Sequence, residues 1–528
     1  MNTPMKAIPT SNLANLLRNT AQLFPEHAGV IQGDTQYSWK KLDQRVDAMV
    51  LALRQLGVKQ GDKILVHSRN SLQMFESCWV AFRLGAVWVP TNFRLTPPEV
   101  AYLGESSAAS VMITEDVFFG HVDEVLKTSK DLKHVIVVGQ ARAGEMSYED
   151  LIRTHLGESA QPAVVYFDDP LWFFYTSGTT GKPKAGILTH GQMSFVVTNH
   201  LADLIPCTSE RDCSIAVAPL SHGAGIHALL NVARGAATVL LPGEKLEPAV
   251  FWQLVEKHKV SNLFTVPTIV KVLVEHPSVD QHDHSSLRYV IYAGAPMYRS
   301  DQRFALQKLG KVLVQYFGLG EVTGCITYLP PSMHSSDDDD DQANIGSCGF
   351  ARTGMEIAIL NEQMQRVATD EIGEICCRGN AVFAGYHGNA EATAKAFSGG
   401  WFHTGDLGRL DARGLLYITG RQSDMYISGG SNVYPREVEE VLLQHAGISE
   451  IAILGMPDEK WGEIGVAVVV KNKTHPELDA PELLAHLEGR CAKYRWPRSF
   501  VFWDALPKSG YGKIVKKDIK KILLEKIH

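Results

Sequence analysis

The sequence predicts an α/β protein: a large N-terminal domain of α/β sheets flanked by helices, followed by a small C-terminal α+β domain. Three observations carry that reading. Helical and strand patterns alternate from residue 40 to residue 293. After Arg421 the alternation gives way to short mixed elements. The 528 residues also exceed what a single hydrophobic core usually supports. Domains are expected at residues 1–421 and 422–528, joined near residues 421–424.

Residues 40–56 place Leu42, Val46, Met49, Val50 and Leu53 at helical spacing, and Gly57 supplies a stop. Residues 63–67 read as a short buried strand, and a helix over 71–84 leads to a strand at 86–90. The apolar run 78–90 carries Arg83 and is shorter than the roughly 20 residues that cross a bilayer. It reads as a buried helix running into a strand. Further strands are expected at 110–114, 134–138, 237–241, 262–266 and 289–293. Most follow helical patterns, which favours largely parallel sheets. Beyond the join, Pro435 opens a helix that sets Val438, Val441 and Leu442 on one face. Strand patterns at 451–454 and 466–470, a helix near 481–494 and a basic amphipathic helix over 513–528 complete the chain.

Apolar residues make up 45% and charged residues 21%, the balance of an ordinary globular protein. A net charge of −7 offers no basic footprint for nucleic acid, although a local pocket can still attract a small polyanion. The eight cysteines form no C-x-x-C pair. Cys376 and Cys377 read as reduced thiols on opposite faces of a strand, which fits a reducing cytosol. Residues 1–18 lack a secretory apolar region, and a cytoplasmic location is expected. The aspartate run 337–341 reads as a solvated loop, because consecutive carboxylates repel and cannot all converge on one ion. His276, His282 and His284 read as loop residues.

The strongest chemical signal is residues 174–185, Phe-Tyr-Thr-Ser-Gly-Thr-Thr-Gly-Lys-Pro-Lys-Ala. An apolar strand feeds a loop of hydroxyls, glycines and lysines. Glycines let the backbone approach a phosphate, while amides, hydroxyls and ammonium groups supply donors and charge. It is not a P-loop, because Gly178 and Gly181 are too close and Pro183 follows Lys182.

This loop resembles the phosphate-binding signature of the adenylate-forming superfamily: acyl-CoA synthetases, peptide-synthetase adenylation domains and beetle luciferases. Six further motifs follow in order. Residues 219–225, Pro-Leu-Ser-His-Gly-Ala-Gly, resemble the segment whose histidine lines the acyl pocket. Residues 292–296, Tyr-Ala-Gly-Ala-Pro, resemble an adenine-binding turn. Residues 315–321, Gln-Tyr-Phe-Gly-Leu-Gly-Glu, are similar to the motif whose glutamate holds magnesium. Residues 400–406 end on the ribose-binding aspartate, residues 418–421 on the arginine at the inter-domain hinge, and residues 507–513 on the catalytic lysine.

The resemblance implies Lys513, His222 and Glu321 as catalytic residues, with Glu321 the Mg²⁺ ligand. ATP or AMP would be held by Thr176, Ser177, Gly178, Thr179, Thr180, Lys182, Lys184, Gly294, Ala295, Pro296, Phe317, Gly318, Asp406 and Arg421. His222, Gly223, Ala224, Gly225 and Gly318 would border the acyl group. Coenzyme A would pass Gly429 and Gly430, stack on Trp461 and meet Arg498. Ser423 stands at the hinge position. The substrates implied are ATP, a carboxylic acid and CoA, with a homodimer left open. Minimal side chains at 223–225, and no cation at 219–227 or 315–323, favour a medium-to-long aliphatic or aryl-propenoic monocarboxylate. Rival readings are an adenylation enzyme loading a carrier protein, a luciferase-like oxygenase and a non-catalytic nucleotide-binding regulator. Two departures stand out. Gly320 replaces the usual threonine, with Thr323 or water as substitutes for its hydroxyl, and Ser423 replaces the usual lysine or aspartate.

Overall fold

A computed structural model describes residues 8–176, 182–295, 297–341, 343–428, 431–508 and 514–527, with the side chains of 526 and 527 excepted. Two large sheets organise the N-terminal part. The first runs, in spatial order, Phe350–Ala351, Thr327–Leu329, Leu313–Phe317, Tyr289–Tyr292, Asn262–Thr265, Cys213–Ala216, Ala237–Leu240, Ala28–Gln32, Thr35–Ser38. The second runs Met146–Ser147, His134–Val138, Val111–Glu115, Lys63–His67, Val87–Thr91, Pro170–Thr176, Lys184–Thr189. Parallel pairing fills the middle of both; antiparallel pairs close both edges of the first sheet and one edge of the second, whose other edge, Met146–Ser147, pairs parallel.

Local sequence explains these elements. Lys63–His67 buries Ile64, Leu65 and Val66 completely, as a strand covered on both faces must. Ser71 caps the helix Leu72–Leu84 by accepting from the Met74 amide, and Gly85 ends it in the left-handed region. Arg83 sits inside the fold, bonded to Asp43 and, at 2.7 Å, to Asp47. No described helix is long and apolar enough to cross a membrane.

A four-stranded antiparallel sheet, Met355–Leu360, Gly373–Gly379, Phe402–Leu410 and Leu416–Arg421, follows. Cys376 and Cys377 are both buried in it as free thiols. The aspartate run is mainly exposed, and Asp338 pairs with Arg299 and Arg303.

The C-terminal sheet is mostly antiparallel: Ser431–Val433, Tyr426–Ser428, Gly462–Lys471 and Ile448–Asp458, with Ser499–Trp503 parallel to Gly462–Lys471. Four expected ranges shift here. The hairpin strands run beyond 451–454 and 466–470, because Gly455 and Gly465 pair across the ladder and make room for the buried Tyr426 ring. The helix near 481–494 is Ala480–Leu487, stopped two residues before Gly489 at φ +73°. The last helix begins at Lys516, after Ile514 has bridged to Lys508.

Candidate active site

In the first sheet, the expected binding segments follow the carboxyl ends of neighbouring parallel strands. His222 comes after Cys213–Ala216, Gly294 and Ala295 after Tyr289–Tyr292, and Phe317 ends Leu313–Phe317. Ligands of open α/β sheets bind at such ends. Thr176 closes a strand of the second sheet and meets this edge through a hydrogen bond.

Glu321 is the junction. It is buried on a short 3₁₀ turn, Gly320–Val322, and its Oε1 accepts from Thr176 Oγ1 and Tyr386 OH, both at 2.9 Å. Its backbone carbonyl accepts from the Phe383 amide at 2.8 Å. Two separated segments therefore hold the carboxylate, and the second also holds the backbone of its turn. Tyr386 went unseen in the sequence, where the only local signal is an aromatic residue just after Gly385. Burial, and then the Glu321 charge, raise its hydroxyl pKa.

The structure accounts for Gly320. A Cβ there would stand 2.6 Å from the Phe174 ring and 2.9 Å from Thr176 Cγ2, closer than side chains tolerate. The glycine makes room for Phe174, whose ring meets the His222 ring edge-to-face at 5.0 Å. Thr323 does not supply the missing hydroxyl. Its backbone is left-handed, and its Oγ1 donates to the Val322 carbonyl at 2.7 Å.

His222 precedes the helix Gly223–Ala233, with Nδ1 2.9 Å from Ser221 Oγ. Ala224 is buried in the first turn. The small residues here answer partly to packing. A Cβ on Gly223 would meet the Phe264 ring at 2.5 Å, and one on Gly225 would strike the Leu220 carbonyl. Gly318 is likewise pressed against the Gly324 backbone, 2.5 Å from where its Cβ would be.

Asp406 and Arg421 are partners on adjacent strands, with Arg421 Nε 3.2 Å from Asp406 Oδ1. Asp406 is buried and Arg421 half-exposed, an acceptor held by a cation that still reaches solvent. Glu374 Oε1 accepts from the Gly405 amide at 3.1 Å, and its Oε2 holds His403 Nδ1 at 2.8 Å. Glu374, Cys376 and His403 bring ligand-type atoms within 4.8 Å of one another. Their mutual bonds make them a support under the Asp406 turn.

Ser423 is exposed and its Oγ donates to Asp424 at 3.3 Å. Arg498 lies over the Trp461 ring at 5.0 Å, so the two residues expected to meet CoA are stacked on each other. Lys182 lies over Tyr102 and Lys184 over Tyr386. Ser177, Gly178, Thr179, Thr180, Pro296, Gly429, Gly430 and Lys513 lie outside the described residues.

Residues 17–387 match the model of the AMP-binding enzyme family, and residues 437–513 match that of the AMP-binding enzyme C-terminal domain. The chain belongs to the adenylate-forming superfamily. Within it, this chain is an AMP-forming acid–CoA ligase family enzyme. It is 33% identical over 503 residues to a feruloyl-CoA synthase of Amycolatopsis sp, covering 95% of this chain and 97% of the relative. A long-chain-fatty-acid–CoA ligase of Mycobacterium tuberculosis, FadD13, is 30% identical over 509 residues, at 96% and 97% coverage. Among solved structures, the o-succinylbenzoate CoA synthetase MenE from Bacillus subtilis, in complex with an acyl-adenylate intermediate, superposes with a TM-score of 0.83. It is 28% identical, with 98% of this chain and 99% of that one covered.

Proposed function

We propose that this adenylate-forming enzyme activates a medium-to-long aliphatic or aryl-propenoic monocarboxylate as its acyl-AMP and transfers the acyl group to CoA. The observation that carries the reading is the Glu321 carboxylate, fixed by Thr176 from the phosphate loop and Tyr386 from a third segment. Both hydroxyls meet Oε1, which leaves the other carboxylate oxygen to face a hard cation. Mg²⁺ held there would neutralise charge on the triphosphate. Phe317 would stack on adenine, Asp406 would accept the ribose hydroxyls, and Arg421 would hold Asp406 in place. Lys182 and Lys184 would flank the phosphates, and His222 the reacting carboxylate. The reaction brings anions together, so positioning and charge stabilisation dominate its barrier.

Lys513 would bridge carboxylate and α-phosphate in the first step only, brought in by a C-terminal domain (422–528) that turns at the hinge near Ser423. CoA would then enter past Gly429 and Gly430, with the Trp461–Arg498 stack offering an aromatic face and a cation to its nucleotide end. The relatives named for feruloyl and long-chain fatty acyl groups support both acid classes.

Lys513→Ala tests this directly. The ATP-driven reaction should fall by roughly two to four orders of magnitude. The reaction of synthetic acyl-AMP with CoA should keep most of its rate. Equal loss in both assays would overturn the two-step division.

A further inference from the structure

Beneath the helix Gly223–Ala233 lies a cavity of about 10 Å³, whose lining includes Ser214, Ala224, His227, Ala228, Thr238 and Phe264. It has room for about one water-sized group. Its walls are not apolar. His227 and Thr238 are both buried, and His227 Nδ1 and Thr238 Oγ1 have no hydrogen-bond partner among the described residues.

The neighbouring bonds fix what each atom offers. The His227 carbonyl can only accept, so Asn231 Nδ2 donates to it at 3.0 Å. Asn231 Oδ1 then accepts from Asn262 Nδ2 at 3.1 Å. Asn262 Oδ1 is thereby left to accept from His227 Nε2, at 2.8 Å. Neutral His227, its pKa lowered to about 4 by burial, thus carries its proton on Nε2 and presents Nδ1 as a bare acceptor. Thr238 Oγ1 can donate as well as accept.

The position is telling. His222 caps the helix, and His227 lies about 7.5 Å further along its axis, at 1.5 Å per residue. Phe264 joins the two ends, because its ring fills the place of a Gly223 Cβ and also lines the cavity. We propose that this cavity is the far end of the acyl pocket and takes a hydroxyl at the tip of the acid, donating to His227 Nδ1 and accepting from Thr238 Oγ1. This rests on the acid–CoA ligase reading above. A carbonyl or ether oxygen brings no proton for His227, and a methyl group leaves both atoms unsatisfied.

Matched acids test it: 4-hydroxycinnamate against cinnamate, and an ω-hydroxy fatty acid against its parent, by kcat/KM for acyl-CoA formation. The wild type should prefer the hydroxy acid of at least one pair by about 10- to 100-fold. Thr238→Val keeps the side-chain shape, and this variant and His227→Phe should each bring that ratio toward one. No preference in either pair, or a ratio unchanged in both variants, overturns the proposal while leaving the ligase reading intact. Pyrophosphate exchange without acyl-CoA from any acid would instead bring down the ligase reading, and this proposal with it.

Discussion

Tyr386 gives Glu321 one of its two hydroxyl donors, so removing that hydroxyl measures what the carboxylate's placement is worth. Tyr386→Phe keeps the ring and loses a hydrogen bond to a charged group, an interaction of about 1.5–3 kcal/mol. ATP–pyrophosphate exchange should fall about 10- to 100-fold, with the loss in KM for magnesium-ATP as well as in rate. Glu321→Gln should cost more and shift the magnesium dependence; an unchanged magnesium curve would remove Glu321 as the metal ligand. Glu321 was legible in the sequence because it sits inside a compact motif. Tyr386 was not, since 65 residues separate it from its partner and no local pattern links them. His227 escaped notice for a related reason. A histidine on an apolar helix looks like core, and only the closed bonds of Asn231 and Asn262 show which of its nitrogens is left over.

Helices and strands were easiest to read where punctuation is chemical. Pro435 marked the start of a helix that does begin there, whereas Ser71, placed inside its helix by the apolar pattern, is the cap of Leu72–Leu84 and bonds the Met74 amide. Ser71→Ala should lower stability by about 1 kcal/mol, checked by urea unfolding. Arg83 in the same helix was legible only as a charge too many for a membrane span; its partners Asp43 and Asp47 lie in another helix. Arg83→Leu should cost about 3 kcal/mol, because it strands the partly buried Asp43 and leaves Asp47 to Arg18 alone. Arg18, bonded to Asp47 at 2.8 Å, keeps the loss from being larger. The C-terminal hairpin was under-read because Gly455 and Pro457 interrupt the apolar alternation of Ile448–Asp458. There the glycine serves the packing of Tyr426, a long-range demand that a strand pattern does not encode.

Across the whole molecule, buried imidazoles set an acid limit. Burial holds His67 at about 3, with His121 adding to the effect, and His190, His227 and His334 at about 4. Unfolding returns each to its ordinary value near 6.5. The folded state thus keeps its full advantage above pH 6.5 and loses it as pH falls from 6.5 toward 4. Unfolding near pH 5 should take up about four protons from these groups. The urea midpoint should fall between pH 7 and pH 5; a flat profile would mean that the imidazoles stay hydrated in the fold. The contact between Gly320 and Phe174 bears on how such an enzyme can change over time. Gly320→Thr alone drives a side chain into the Phe174 ring and should be harmful. Phe174→Ala removes the nearer of that side chain's two close contacts, at 2.6 Å, and leaves the one to Thr176 Cγ2 at 2.9 Å. Phe174→Ala should therefore soften Gly320→Thr, by a coupling of about 0.5–3 kcal/mol in a double-mutant cycle. A threonine at 320 thus meets its smallest penalty in a chain whose residue 174 has already shrunk.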